Sequence, residues 1–266
     1  MLFETQSKTA IYLYGFTHYA NGFTQGLPKL PVINGIDDSH AITSHTYADL
    51  TAIISAVALA DFTGEVGEEN LQNVAWLTPR ACRHALVIEQ CMREAAVYPV
   101  PFGTLFSNLI ALEQEMQRRS HDVLAVLEHI LGCEEWAVDA SLDRKQAIEA
   151  LFTQGVASGR FVLPESAGRR HLEEQKIRRQ LNNELNDWLA ELLNSWQTDL
   201  NAQARDFCER RLAEDKILHW AYLMPIAGVT DFQARLAELG SRYADYGFNF
   251  RITGPWAAYS FCQRTS

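Results

Sequence analysis

The residues of this chain best equipped for metal or nucleophilic chemistry are its eight histidines and five cysteines. The histidines are His18, His40, His45, His84, His121, His129, His171 and His219. None stands in an H-E-x-x-H run, and none joins a cysteine at zinc-finger spacing. His40 and His45 share a hairpin-like segment, but five residues apart on a strand they face opposite sides. The pattern predicts ordinary surface or core histidines. Cys82, Cys91, Cys133, Cys208 and Cys262 are scattered and odd in number, with no C-x-x-C pair. Free thiols in a reducing cytosol account for them better than a disulfide framework. Cys82 and His84 fall on different faces of a helix, and no G-x-S-x-G elbow is present. Phosphate cradles of the G-x-x-x-x-G-K-[ST] or G-x-G-x-x-G kind are missing too. The adjacent acids Glu134/Glu135 and Glu173/Glu174 read as solvated surface. The expectation is a protein with no catalytic residue, no cofactor and no metal.

Aromatic clusters carry more information. Phe102 and Phe106 flank Gly103-Thr104, and Trp256 and Tyr259 follow Gly254-Pro255. Aromatics beside rigid turns serve either as core plugs closing the end of a sheet or as hot spots for a partner.

Positioning such residues falls to a chain of 266 residues, 47% of them hydrophobic and 21% charged. That is enough apolar material for a real core in one large or two smaller domains. The formal net charge of −10 disfavours nucleic-acid binding. Arg169, Arg170, Lys176, Arg178 and Arg179 form the densest basic run, but Glu173 and Glu174 interrupt it, as on a salt-bridged helix face. No secretory signal and no run of about 18 apolar residues is visible, so no membrane span is expected.

Strand patterns open the chain at Ile11–Phe16, Leu30–Ile33, Ala41–Tyr47 and Leu50–Val57, with a turn-rich stretch around Asn21-Gly22 and Leu27-Pro28. Glu65–Asn70 reads as an acidic loop and Leu71–Trp76 as one helical turn. Thr78-Pro79 has the form of an N-cap with proline at the first helical position. The helix it would start runs to Ala95, with Cys82, Leu86, Ile88, Cys91 and Met92 inward. Val97–Phe106 reads as an extended edge segment. Asn108 caps a helix over Leu109–Leu131 that buries Leu112, Met116, Val123, Leu127 and Ile130.

Beyond it Glu135–Ala140 reads as a strand and Leu142–Phe152 as a helix. A long polar helix starts at Ser166, its stripe formed by Leu172, Ile177, Leu181, Leu185, Trp188, Leu189, Leu192 and Leu193. The stripe continues through Trp196, Leu200, Ala204, Phe207 and Leu212, after a break near Asn194-Ser195. Either a projecting helix or a closed helical hairpin would give a coiled-coil-like arm. Ile217–Ile226 reads as a buried central strand, Asp231–Tyr246 as an amphipathic helix, and Phe248–Thr253 as a strand broken by Gly254-Pro255. Trp256–Cys262 reads as a last strand. The expected fold class is α+β: an N-terminal α+β domain over 1–131, then a ferredoxin-like domain over 132–266 with a long helical, coiled-coil insertion at about 166–213.

Several of these segments together resemble the gas vesicle protein F/L family, GvpF/GvpL. They are IYLYGF (11–16), LTAIISAV (50–57), His84 with VYPVPFGTLFSN (97–108), EWAVD (135–139), GRRHLEEQKIRRQ (168–180), WAYLMPI (220–226) and RITGPWAAYSFC (251–262). The most specific are Pro99–Phe106 and the T-G-P-W-x-x-Y-S-F run at Thr253–Phe261. Two positions depart from the family habit: no basic residue precedes Phe102, and Ala257-Ala258 stands where proline is common.

The resemblance implies an accessory and minor structural protein of gas vesicle assembly in the cytoplasm. It implies binding to the small hydrophobic shell protein GvpA and to other accessory proteins, which would keep the shell protein from aggregating during nucleation. It also implies two α+β domains, the second ferredoxin-like with a coiled-coil arm, and no catalytic residues. Candidate protein-contact residues are Leu172, Ile177, Leu181, Trp188 and Trp196 on the arm, with Phe102, Phe106, Trp256 and Tyr259. The competing reading is a ferredoxin-like small-molecule-binding or enzymatic protein, since that fold hosts many activities.

Overall fold

A computed structural model describes residues 9–18, 34–37 and 39–262 of the chain. The strand expected at Leu30–Ile33 and the turns around Asn21-Gly22 lie outside the described residues. The chain divides into two compact units, Met1–Gly132 with Trp256–Ser266, and Cys133–Pro255.

The first unit is built on β1 (Thr9–His18), β2 (Thr43–Tyr47) and β3 (Leu50–Ala58), with short strands β4 (Tyr98–Pro99) and β5 (Leu105–Phe106). The order is β2-β3-β1-β4, and β5 also pairs with β1. The β1/β3 register is antiparallel, Thr9 opposite Ala58 and His18 opposite Leu50, and it slips between Leu13 and Gly15. That bulge leaves Tyr14 as the extra residue. Proline cannot serve the middle of a sheet ladder. Accordingly Tyr98–Phe106 meets β1 only in two short antiparallel pieces, Phe16 opposite Tyr98 and Ile11 opposite Phe106.

Three helices accompany this sheet: α1 (Gly64–Gln72), α2 (Val74–Met92) and α3 (Leu109–Ile130). The expected acidic loop is α1. Gly67 does not break it, because it seats the helix on the Phe62 backbone, where a Cβ would lie 2.3 Å from the Phe62 carbonyl carbon. The α2 helix starts five residues before the expected Thr78-Pro79 cap. Asn73 is the cap, its side chain accepting from the amides of Ala75 and Trp76. Pro79 therefore sits inside α2, where it forfeits the bond its amide would have sent to the Ala75 carbonyl. The buried face of α2 is His84, Val87, Ile88 and Cys91, while Cys82 and Leu86 are exposed. In α3 the Asn108 cap and all five expected inward residues are as the periodicity indicates.

The second unit runs β6 (Cys133–Leu142), α4 (Arg144–Ala157), α5 (Ala167–Asn201), β7 (Asp206–Glu209), β8 (Leu218–Pro225), α6 (Val229–Tyr243) and β9 (Phe248–Trp256). The strand order is β7-β8-β6-β9, with β8 antiparallel to both neighbours, Trp136 opposite Tyr222 and Phe207 opposite Tyr222. The α5 helix is continuous through Asn194-Ser195, 35 residues in all, about 52 Å at 1.5 Å per residue. It ends at Asn201, short of the expected reach. Phe207 belongs to β7 and Leu212 to the loop after it.

The front of α5 packs on α4 through Ile177, Leu181 and Leu185 against Ala147, Leu151 and Phe152. Glu149 pairs with Arg178 at 2.6 Å and Arg144 with Asn186 at 2.8 Å, so the two helices run antiparallel. From Leu189 onward α5 covers the sheet, with Trp196 and Leu200 in one cluster with Trp136, Tyr222, Phe232 and Phe248. The basic run is salt-bridged along the helix face, with the i,i+4 pairs Arg170–Glu174 and Glu174–Arg178 at 3.2 and 3.5 Å.

The last strand expected at Trp256–Cys262 is instead a short helix, α7 (Tyr259–Cys262). Ala258, Phe261 and Cys262 are buried at i, i+3, i+4 spacing, which a helical turn satisfies and a strand does not. Gly254-Pro255 does not end β9 as expected. Strand pairing continues to Trp256. Gly254 has φ +152° and no room for a side chain, since a Cβ would lie 2.8 Å from the Trp136 ring.

Candidate functional site

The family-like segments of the first unit meet at His84. From β1, Tyr12 and Tyr14 point to α2, their rings 4.9 Å apart. The Tyr12 hydroxyl accepts the Gly103 amide at 3.1 Å and lies 2.9 Å from His84 Nδ1. Because the Val100 carbonyl can only accept from Nε2, the neutral ring carries its proton there and Nδ1 accepts from Tyr12. His84 Nε2–H then faces two acceptors at 3.1 Å, the Val100 carbonyl and the Tyr259 hydroxyl. The imidazole stacks on Tyr14 at 5.6 Å, and Phe102 packs edge-on at 5.9 Å. Tyr14 accepts the Ile36 amide at 2.7 Å and bonds Ser55 at 2.9 Å.

One histidine thus ties together β1, the Pro99–Phe106 segment and the C-terminal Tyr259. Burial pushes its pKa down to about 4, against the weaker pull of the Val100 carbonyl, so it is neutral at physiological pH. Burial likewise raises the Tyr12 phenol and pushes the Cys91 thiol up to about 12. Groups so silenced are structural in character: none is poised to give or take a proton near neutrality.

In the second unit the buried acids are satisfied by cations. Asp139 meets Lys216 at 2.9 Å, Arg251 at 3.2 Å and His219 at 3.6 Å. Burial alone would raise its pKa, but hydrogen bonds and charge from Lys216 and Arg251, with the charge of His219, hold it below the usual carboxylate range. Glu135 pairs with Arg210. Among the described residues no group of three or more His, Cys, Asp or Glu side chains is placed to hold a metal ion. Nor is any described helix long and apolar enough to cross a membrane.

The candidate contact residues fall into two groups. Ile177, Leu181 and Trp196 are core side chains, closed against α4 or the sheet, so they offer no free surface. Trp188 is half-buried between Tyr246 and Phe248. Phe102 and Tyr259 pack at the His84 node, and Phe106 is half-buried in β5. Leu172, 69% exposed on the first turns of α5, and Trp256, 51% exposed, remain outward. Leu172 belongs to the second unit and Trp256 to the first. The sequence reading missed His84 as an organising residue. Its signal was the phase His84, Val87, Ile88, Cys91, which marks the inward face of α2.

These features define a two-unit α+β protein whose first unit is tied together at a buried histidine. The sequence model of the gas vesicle synthesis protein GvpL/GvpF family matches residues 10–263. The chain belongs to that family and has a role in gas vesicle assembly. A relative, gas vesicle protein L of Streptomyces sp. (strain CB03234), is 25% identical over 229 residues, covering 81% of this chain and 80% of its own. The crystal structure of gas vesicle protein GvpF from Anabaena sp. PCC7120 superposes with a TM-score of 0.70 at 18% identity, over 97% of this chain and 98% of that one. GvpF from Microcystis aeruginosa gives 0.67 at 18% identity, over 96% and 99%. At that identity the two crystal structures speak for the fold.

Proposed function

We propose that the chain is an accessory and minor structural protein of gas vesicle assembly that binds the hydrophobic shell protein GvpA and other accessory proteins, and keeps the shell protein from aggregating during nucleation. Family membership over nearly the whole chain is the observation that carries this reading. A shell subunit with a large apolar face self-associates in water. A partner with net charge −10 can cover that face transiently and stay dispersed by its own repulsion. The protein works in the cytoplasm and at the vesicle, as a binder and not as an enzyme.

The second unit is read as a ferredoxin-like domain whose first crossover is lengthened by the α4/α5 pair. The strand order β7-β8-β6-β9 supports that reading. The boundary between the domains is placed at 131/132. The α5 helix serves as the arm, with Leu172 as its outward contact residue, and Trp256, outward at the end of β9, is a second and separate contact residue. Capture of tagged shell protein by the wild-type chain and by Leu172→Asp/Trp256→Asp tests this. Capture should fall severalfold in the double variant while the melting temperature holds. Undiminished capture would remove both residues from the contact.

A further inference from the structure

The first unit also contains a cleft of about 460 Å³, within the size range of small-ligand sites. Leu13, Phe16, Val100 and Phe106 supply its apolar walls. Its cation is Arg119, from α3. The guanidinium lies over the Tyr98 ring, 5.3 Å from the centroid, and donates to the Tyr98 hydroxyl at 2.6 Å. That hydroxyl in turn donates to the Cys262 carbonyl at 2.7 Å. Arg119 is thereby fixed in orientation at the expense of one of its five N–H donors. Among the described residues it has no other acceptor within hydrogen-bond distance. Glu115, one turn earlier, comes only to 3.9 Å, and both of its oxygens are already held by Arg118 at 2.6 and 3.0 Å.

A positioned guanidinium fork beside apolar walls is complementary to a carboxylate, which it can grip through two parallel bonds. We propose that this cleft binds the C-terminal carboxylate of an apolar peptide, with Arg119 as the anchor and Glu115 as the resident competitor. A chain end is favoured over an acidic side chain for a reason of space. The cleft holds only a few side chains, and a terminus places charge and apolar groups together without requiring the chain to continue past the site. The proposal rests on the protein-binding reading and deepens it by naming the chemistry of one contact.

The test uses short peptides and not the shell protein, so its failure would leave capture of the shell protein untouched. The full chain is titrated with N-acetyl-Leu-Phe as the free acid and as the amide, and with N-acetyl-Asp-Phe-amide, following methyl resonances of Leu13 and Val100. The free acid should bind about tenfold more tightly than either amide, the worth of one good charged contact. Arg119→Gln should abolish that preference. Glu115→Gln should strengthen binding of the free acid and leave the amide unchanged. A purely structural Arg119 would not produce that opposite pair of effects, and the Glu115 variant decides the matter if Arg119→Gln fails to fold. Equal binding of acid and amide, or an acid preference that survives Arg119→Gln, overturns the site. Tight binding of the aspartyl amide overturns its assignment to a chain end.

Discussion

His84 takes up its proton far below the pH at which a free histidine does, because ionising it would strand a charge among Tyr12, Tyr14 and Phe102. The sign of the consequence is fixed. The unfolded chain protonates near the ordinary value of 6.5 and the folded chain near 4. Between those values the unfolded state binds more protons, so stability is complete above the upper one and drains away as pH falls toward the lower. The loss from this residue is on the order of 3 kcal/mol across the window. Denaturant unfolding at pH 7 and pH 4.5 should show it, and His84→Gln should lack that component. Tyr259→Phe removes one of two acceptors while the Val100 carbonyl remains, so it should cost no more than about 1 kcal/mol. At this scale little was legible in advance. A histidine in a helix looks alike whether it faces water or three hydrogen-bonding partners, and all three here, Tyr12, Val100 and Tyr259, come from distant sequence.

The α5 helix shows what periodicity conveys and where it stops. Its stripe correctly marked Ile177, Leu181, Leu185, Trp196 and Leu200 as one face. It could not say that the face is already covered, first by α4 and then by the sheet. Leu181→Ala should therefore cost about 2–5 kcal/mol, as core truncations do. Leu172→Ala, a few turns away on the exposed stretch, should change stability by no more than about 0.5 kcal/mol. Thermal and urea unfolding of the two variants gives the comparison. The end of α5 was not legible, because Ala204, Phe207 and Leu212 extend the apolar pattern while the backbone has already turned into β7. In the first unit, the sequence puts Gly67 in an acidic loop and Pro79 at the first position of a helix, although both lie inside helices. Close backbone packing explains the first, and a cap at Asn73 the second. Asn73→Ala should cost roughly 1 kcal/mol.

For the whole molecule, the alternation of strands and helices made the α+β class readable, and the Pro99–Phe106 and Thr253–Phe261 runs made the family readable. The return of the C-terminal residues to the first unit was not, since it depends on bonds such as Tyr98 to Cys262 that join residues 164 apart. The function proposed here belongs to this scale. An acidic carrier with its own apolar side chains mostly committed to two cores can lend a limited outward surface to a far more apolar subunit without aggregating itself. Co-expression of GvpA with and without this chain, followed by sedimentation of the lysate, tests that claim most directly. The account predicts that a substantial share of the shell protein moves from the pellet to the supernatant and co-elutes with this chain. An equal pellet in both cases, with no co-elution, would contradict it.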